Sequence, residues 1–237
     1  MNEDQSDGLG WTLLHYACRS SNRSAVIPLL LAHPDIDVNF KEIYGRTPFH
    51  CACGGHPSCV REMLKDSRVK VNEPDDDGSA PLWWAAWYGC LDAIKSWIAS
   101  GREMDLGKPG DIHKTDAIGG AKEEGKTKVA TLLERFKNDA TRTRHAVRVE
   151  LGVLDELAAQ LFAMVVFVSD GLLQINDTTP SPAARYFSIA RQLPLELQMV
   201  LCCRQVGSDK EIIQGKDSEV AFKSLAKRLL WSSIFTG

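Results

Sequence analysis

Three groups of side chains in this 237-residue sequence have the types and spacing to do chemistry. The first is Gly120-Ala121-Lys122-Glu123-Glu124-Gly125-Lys126-Thr127, which matches the phosphate-loop pattern G-x-x-x-x-G-K-[ST] letter for letter. A phosphate loop follows a buried strand and opens a helix whose backbone N–H groups face the phosphates. Here the preceding stretch Asp111-Ile112-His113-Lys114-Thr115-Asp116 is polar, and Glu123 and Glu124 would repel a triphosphate. A nucleotide-binding enzyme is accordingly the least favoured function class, and the match reads as accidental.

The second group is His50, Cys51, Cys53, His56 and Cys59. Zinc is held by such side chains, but this spacing fits no closed four-ligand pattern. Buried free cysteine usually serves as a small hydrophobe, so packing is expected and a metal is not. No Ser or Cys stands with an arguable base and orienting acid, so nucleophilic catalysis has no specific support. The expectation is a non-catalytic chain without cofactor. The third group is aromatic: Trp83, Trp84, Trp87 and Tyr88. Trp and Tyr, with Arg, are enriched among side chains that dominate protein interfaces.

Composition narrows the classes further. There are 28 Lys plus Arg against 31 Asp plus Glu, a net charge of -3, with 44% hydrophobic residues. These are ordinary globular proportions, and they lack the domain-wide positive field that phosphate-backbone binding needs. Nucleic acid is not an expected partner. The longest apolar run, Leu161 to Val168, is far short of the roughly 20 residues of a spanning helix. The opening MNEDQSDG has neither the basic nor the apolar region of a signal peptide. Seven cysteines, an odd number that includes adjacent Cys202 and Cys203, show no disulfide framework. A cytosolic or nuclear setting, and no membrane, is the expectation.

The elements that must position these side chains repeat. Asp7-Gly8-Leu9-Gly10-Trp11-Thr12-Leu13-Leu14-His15-Tyr16-Ala17 recurs as Glu42-Ile43-Tyr44-Gly45-Arg46-Thr47-Pro48-Phe49-His50-Cys51-Ala52, and then as Asp75-Asp76-Asp77-Gly78-Ser79-Ala80-Pro81-Leu82-Trp83-Trp84-Ala85. A weaker copy ends at Ala121, and the aligned alanines Ala17, Ala52, Ala85 and Ala121 are spaced by 35, 33 and 36 residues. A second apolar helix pattern follows each copy: Val26-Ile27-Leu29-Leu30, Val60-Met63-Leu64, Ala93-Ile94-Trp97-Ile98 and Val129-Leu132-Leu133. The first two end on Val38-Asn39 and Val71-Asn72. This pattern resembles the ankyrin repeat, whose period is about 33 residues. Small alanines suit two closely packed helices, with Thr as N-cap and Pro in the first turn. The first copy has Leu13 in place of Pro, the third has Ala80 for Thr and Trp83 for His, and the fourth keeps neither.

The resemblance implies an all-α protein, an ankyrin-type α-solenoid with its repeats in residues 1–138. It also assigns the groove. Trp84, Trp87 and Tyr88 fall on the variable inner-helix positions that line the concave face, with Arg19 and Ser20, Gly54 and Gly55, and Glu123 and Glu124 equivalent in the other copies. Leu9, Trp11, Tyr44, Arg46, Asp76, Asp77 and Ser79 fall on variable loop positions, while Trp83 and Trp97 are expected in the core. Such repeats bind proteins, so the expected partner is another protein with a basic or apolar segment. In that reading Trp84, Trp87 and Tyr88 are anchors, and Asp76, Asp77 and Arg46 set the charge preference. Ala121 and Gly125 fall on the repeat positions of Ala85 and Gly89, so the repeat and the phosphate loop exclude each other.

Beyond the repeats, 139–168 reads as one capping helix, apolar at Ala146, Val149, Val153, Leu157, Leu161 and Val165, because an open stack exposes an apolar end. A turn-rich linker spans 169–181, and a C-terminal helical module spans 182–237 with helices expected at 182–192, 194–205 and 218–231. Ser181-Pro182 is a helix start. Leu193-Pro194-Leu195-Glu196-Leu197-Gln198-Met199-Val200-Leu201 resembles the opening of an F-box, which docks an adaptor of ubiquitin ligases. The usual closing Trp of that family is absent. The resemblance would make Leu193, Pro194, Leu195 and Leu197 adaptor-binding residues and the chain a substrate-recognition subunit, the alternative to a plain interaction module.

Overall fold

The computed structural model describes residues 6–107, 115–174 and 181–235, all of them helix, turn or irregular chain without a strand. The opening of the fourth copy, 111–114, and residues 175–180 of the linker lie outside the described residues. The chain divides into two compact units, 1–147 and 148–237.

The first unit is a stack of helix pairs. They are α1 (Leu13–Cys18) with α2 (Ile27–Leu31), α3 (Pro48–Cys53) with α4 (Pro57–Leu64), α5 (Pro81–Trp87) with α6 (Leu91–Ser100), and α7 (Ala117–Glu123) with α8 (Thr127–Asn138). A 3-10 turn, Ser21–Val26, leads into α2. The inner helices α1, α3, α5 and α7 pack side by side in that order. The alanines do what their size allows: Ala17, Ala52, Ala85 and Ala121 are all buried. So are the expected core residues Trp83 and Trp97, the latter edge-on to Phe49 with ring centroids 5.0 Å apart.

Successive copies are tied by polar groups at fixed positions. Thr12 and Thr47 each form a capping box with the histidine three residues on. His15 Nδ1 accepts from Thr12 N–H at 3.2 Å, and its Nε2 lies 3.1 Å from the carbonyl of Arg46, one copy away. His50 repeats this, with Nδ1 accepting from Thr47 N–H at 3.0 Å and Nε2 lying 3.2 Å from Ser79 O. A backbone N–H can only donate and a carbonyl only accept, so both rings must be neutral with the proton on Nε2. Asn39 donates to Arg68 O and accepts from Lys70 N–H, and Asn72 accepts from Asp105 N–H.

The fourth copy folds without the sequence signature. Asp116 replaces the capping threonine, accepting Gly119 N–H at 2.8 Å. Gly120 is small because Trp83 is there: a Cβ at Gly120 would sit 3.1 Å from the Trp83 indole nitrogen.

The stretch 139–168, expected as one helix, is two: α9 (Ala140–Glu150) and α10 (Val153–Ser169). Gly152, at φ +68°, takes the left-handed conformation that ends a helix. The break resets the register, so Val149 and Leu157 are exposed while Val147, Leu154, Ala158 and Phe162 are buried. The first turns of α9 do lie on the repeats: Arg144 Nε donates to Ile98 O at 3.3 Å, and its guanidinium stands over Phe136. By contrast, α10 belongs to the core of the second unit.

That second unit holds α10, α11 (Pro182–Ala190), α12 (Leu195–Gln205) and α13 (Gly215–Phe235). Ala158, Ala159 and Ala163 let neighbours approach α10 closely, and Phe162, Val165, Ala190, Cys202, Cys203 and Ala221 fill the core. Ser181 caps α11, accepting Ala184 N–H at 3.0 Å, as expected from the sequence. Among the described residues no single helix is long and apolar enough to cross a membrane.

Candidate partner-binding groove

Each of the first three copies opens on an acidic side chain that holds its own loop. Asp7 Oδ1 accepts from Leu9 N–H and Trp11 N–H, Glu42 Oε1 from Tyr44 N–H and Arg46 N–H, and Asp75 Oδ1 from Asp77 N–H and Ser79 N–H. The loops then join to one another: Ile43 N–H donates to Leu9 O at 3.2 Å and Asp76 N–H to Tyr44 O at 3.1 Å. This fixes the variable loop residues relative to the inner helices, so the groove is preorganised.

Four of the expected groove residues come together. The Arg46 guanidinium stands 4.5 Å from the Trp84 ring centre and 5.5 Å from that of Tyr44, within cation–π range. Trp84 in turn stacks with Tyr88, centroids 5.8 Å apart, and Tyr44 and Tyr88 are exposed. A second group forms in the first copy, where Arg19 stands 5.2 Å over Trp11 and Trp11 contacts Tyr16 at 5.3 Å. Between the two groups lie half-buried Cys51 and exposed Gly54 and Gly55, with no bulk.

The remaining residues are placed differently. Trp87 is half-buried and stacks on buried Trp83 at 4.9 Å, so its ring helps hold that core side chain in place. Leu9 and Asp76 are exposed at the loop tips, and Asp77 is half-buried. Asp75 is buried and occupied on both oxygens, the second by the Trp84 indole N–H at 2.8 Å, which leaves Asp76 and Asp77 as the acidic edge. Leu193, Pro194, Leu195 and Leu197 are in the second unit, at and inside the start of α12. Tyr16 was missed, although the repeat alignment sets it opposite Trp84 and was signal enough. Glu42 was missed because nothing in sequence marks it as buried.

The histidine–cysteine group serves the stack. His50 is spent on Thr47 and Ser79, Cys53 and Cys59 are buried, and the Cys59 thiol points to Ala17 O and Ser20 O. Burial lowers His50 to a pKa of about 4, although Ser79 O opposes the shift, and lowers His15 too. Burial also pushes the Cys51 thiol up to about 12, which leaves it protonated and a poor nucleophile. Among the described residues no three His, Cys, Asp or Glu side chains gather as a metal-holding group.

The phosphate-loop match resolves into repeat geometry. Gly120 to Glu123 lie inside α7, so a helix and not a strand leads into the glycine-lysine turn, and their N–H groups are not laid out as a phosphate loop. Lys122 pairs with Glu134 at 2.6 Å, and the Lys126 side chain lies across Gly89 of the third copy.

The ankyrin-repeat family model matches residues 14–107 in three copies. The chain is 31% identical over 195 residues to human SMC5-SMC6 complex localization factor protein 1, covering 75% of this chain and 18% of that protein. It is 33% identical over 110 residues to mouse neurogenic locus notch homolog protein 1, covering 44% of this chain and 4% of that protein. Alpha-latrotoxin-Lhe1a of Latrodectus hesperus matches at 33% over 84 residues, 35% of this chain and 6% of the toxin. The chain thus spans under a fifth of the length of each of these relatives. His15, His50, Thr47 and the loop staples of the second and third copies fall on the residues that the family model covers, Thr12 and the Asp7 staple repeat the same devices just ahead of it, and together they identify this chain as an ankyrin-repeat protein.

Proposed function

We propose that the chain is a protein-binding module whose partner lies along the inner-helix face, held by Tyr44, Arg46, Trp84 and Tyr88 on one side and Trp11, Tyr16 and Arg19 on the other. The observation that carries this reading is the Tyr44–Arg46–Trp84–Tyr88 stack: aromatic and arginine side chains held rigidly with exposed faces, of the composition that dominates interfaces. A relative named for localizing the SMC5-SMC6 complex supports a role in bringing assemblies into place rather than in catalysis. Seven free thiols support a cytosolic or nuclear setting.

Pull-down with the full chain tests it. Tyr44→Ala and Tyr88→Ala remove exposed surface, so both variants should keep the wild-type melting temperature and lose the same partner. Equal capture by wild type and both variants would remove the groove from the account.

A second reading, adaptor docking at the start of α12, is favoured by one observation. Leu195 and Leu197 are each about half exposed, while Gln198, Cys202 and Cys203 turn inward. Co-purification of a ligase adaptor that is lost on Leu197→Ala would establish it.

A further inference from the structure

In the first and third copies the loop staple's second oxygen is satisfied by the same inner-helix position. Asp7 Oδ2 accepts from the Tyr16 hydroxyl, and Asp75 Oδ2 accepts from the Trp84 indole at 2.8 Å. In the second copy that position is Cys51, a short and weak donor. Glu42 is 5% exposed, and its Oε2 is buried with no hydrogen-bond donor among the described residues. On the same loop Arg46 gives its backbone N–H to Glu42 Oε1 at 3.2 Å, yet its Nε–H is buried with no acceptor among the described residues. Buried polar atoms left unpaired are rare in folded proteins, and each one asks for an explanation. An acceptor short of a donor and a donor short of an acceptor stand on one loop, in the copy whose inner helix ends on the exposed Gly54 and Gly55.

We propose that the second copy is a carboxamide-reading subsite: an Asn or Gln side chain of the partner enters over Cys51, donates its N–H to Glu42 Oε2 and accepts from Arg46 Nε–H. This rests on the groove reading above. A carboxamide is neutral and carries both senses of hydrogen bond on adjacent atoms. An Asp or Glu side chain would set a second carboxylate against Glu42. Lys or Arg would set a cation beside Arg46 and Arg19, both of which act electrostatically at Cys51. Neither charged class satisfies both orphan atoms, and an apolar side chain satisfies neither.

A phage-displayed random dodecapeptide library selected on the full chain tests this. Peptides whose binding is lost on Tyr88→Ala should share an Asn or Gln at one position. Its replacement by Asp, Glu or Ala should weaken binding about tenfold or more, since a site built to hydrogen-bond a group rejects analogues lacking it. The double variant Glu42→Asp/Cys51→Tyr copies the Asp7–Tyr16 pair and supplies the donor internally. It should fold, by circular dichroism, and bind Asn- and Ala-containing peptides equally. Groove-dependent peptides with a charged or apolar consensus at that position overturn the subsite and leave the groove. A consensus indifferent to Asn→Asp exchange does the same. No enrichment, or enrichment indifferent to Tyr44→Ala and Tyr88→Ala, overturns the groove reading and the subsite with it.

Discussion

Trp84 donates its indole N–H to the Asp75 carboxylate at 2.8 Å, so the groove's central aromatic is anchored to the loop of its own copy. The same carboxylate holds Asp77 N–H and Ser79 N–H, and Ser79 O faces His50 of the preceding copy. One side chain thereby couples the proposed binding face to the inter-repeat ladder. Trp84→Phe keeps an aromatic ring near Arg46 but strands one oxygen of a buried carboxylate. We expect a loss of about 1.5–3 kcal/mol, the range for hydrogen bonds to charged groups, measured by urea unfolding. Tyr88→Ala, at an exposed ring, should stay within about 0.5 kcal/mol of wild type. Equal stability of Trp84→Phe and wild type would show that the bond contributes nothing net.

Gly45 marks where consecutive loops touch. It sits at φ +73°, and a Cβ there would lie 2.7 Å from the backbone nitrogen of Asp76. That nitrogen is the donor to Tyr44 O, so the loop cannot retreat without breaking the link between copies. Gly45→Ala combines a left-handed conformation, which costs a non-glycine residue roughly 1–2 kcal/mol, with this overlap. We expect a total destabilisation of about 2–4 kcal/mol and a fall in melting temperature. Gly78→Ala, with an equally positive φ of 78° but open space around it, should lose only the conformational part.

Stability should fall on mild acidification. The folded-state pKa of His50, about 4, is lower than its ordinary value of 6.5. Burial is the main cause, and its Nδ1 accepts a backbone N–H that a second ring proton would oppose. The unfolded chain therefore binds a proton between pH 6.5 and about 4 that the folded chain does not. His50 thus contributes stability that is complete above pH 6.5 and is lost as pH falls through that window, at up to about 1.4 kcal/mol per pH unit. His15, also lowered by burial, acts in the same direction. Unfolding free energies of wild type and His50→Gln should stay a constant gap apart above pH 6.5 and converge as pH falls from 6.5 toward 4. Parallel curves would place the titration elsewhere.

What could be read in the sequence was what a single copy encodes. Thr12, Thr47, the histidines and the alanines act within a few residues or at a fixed repeat offset, so their pattern carries α1 to α6 without tertiary information. The fourth copy was harder because Asp116 and Gly120 do the jobs of Thr and fit around Trp83, and neither substitution is visible until neighbours are in place. Gly152 was a legible break that an uninterrupted apolar stripe obscured. The neighbourhood of Trp84, Tyr88, Tyr44 and Arg46 was legible from their positions in the repeat together with the resemblance to the ankyrin family. The unpaired Oε2 of Glu42 was not, since it depends on Cys51 being too short to do what Tyr16 and Trp84 do.

The fourth copy also separates the stack from the phosphate loop, because the two assignments demand different work from Asp116 and Lys126. In the stack, Asp116 caps α7 by accepting Gly119 N–H, and its removal should cost about 1 kcal/mol. Lys126 lies over Gly89 and half-covers it, so Lys126→Ala should cost little, within about 0.5 kcal/mol. In a phosphate loop the order reverses: Lys126 would be indispensable for nucleotide and Asp116 irrelevant to it. We expect no shift in melting temperature with Mg-ATP for wild type, Lys126→Ala or Asp116→Ala, with only Asp116→Ala clearly destabilised. A Mg-ATP shift in wild type that Lys126→Ala abolishes would require Gly120 to Glu123 to leave the helix, and the helix pair of this copy would then be wrong.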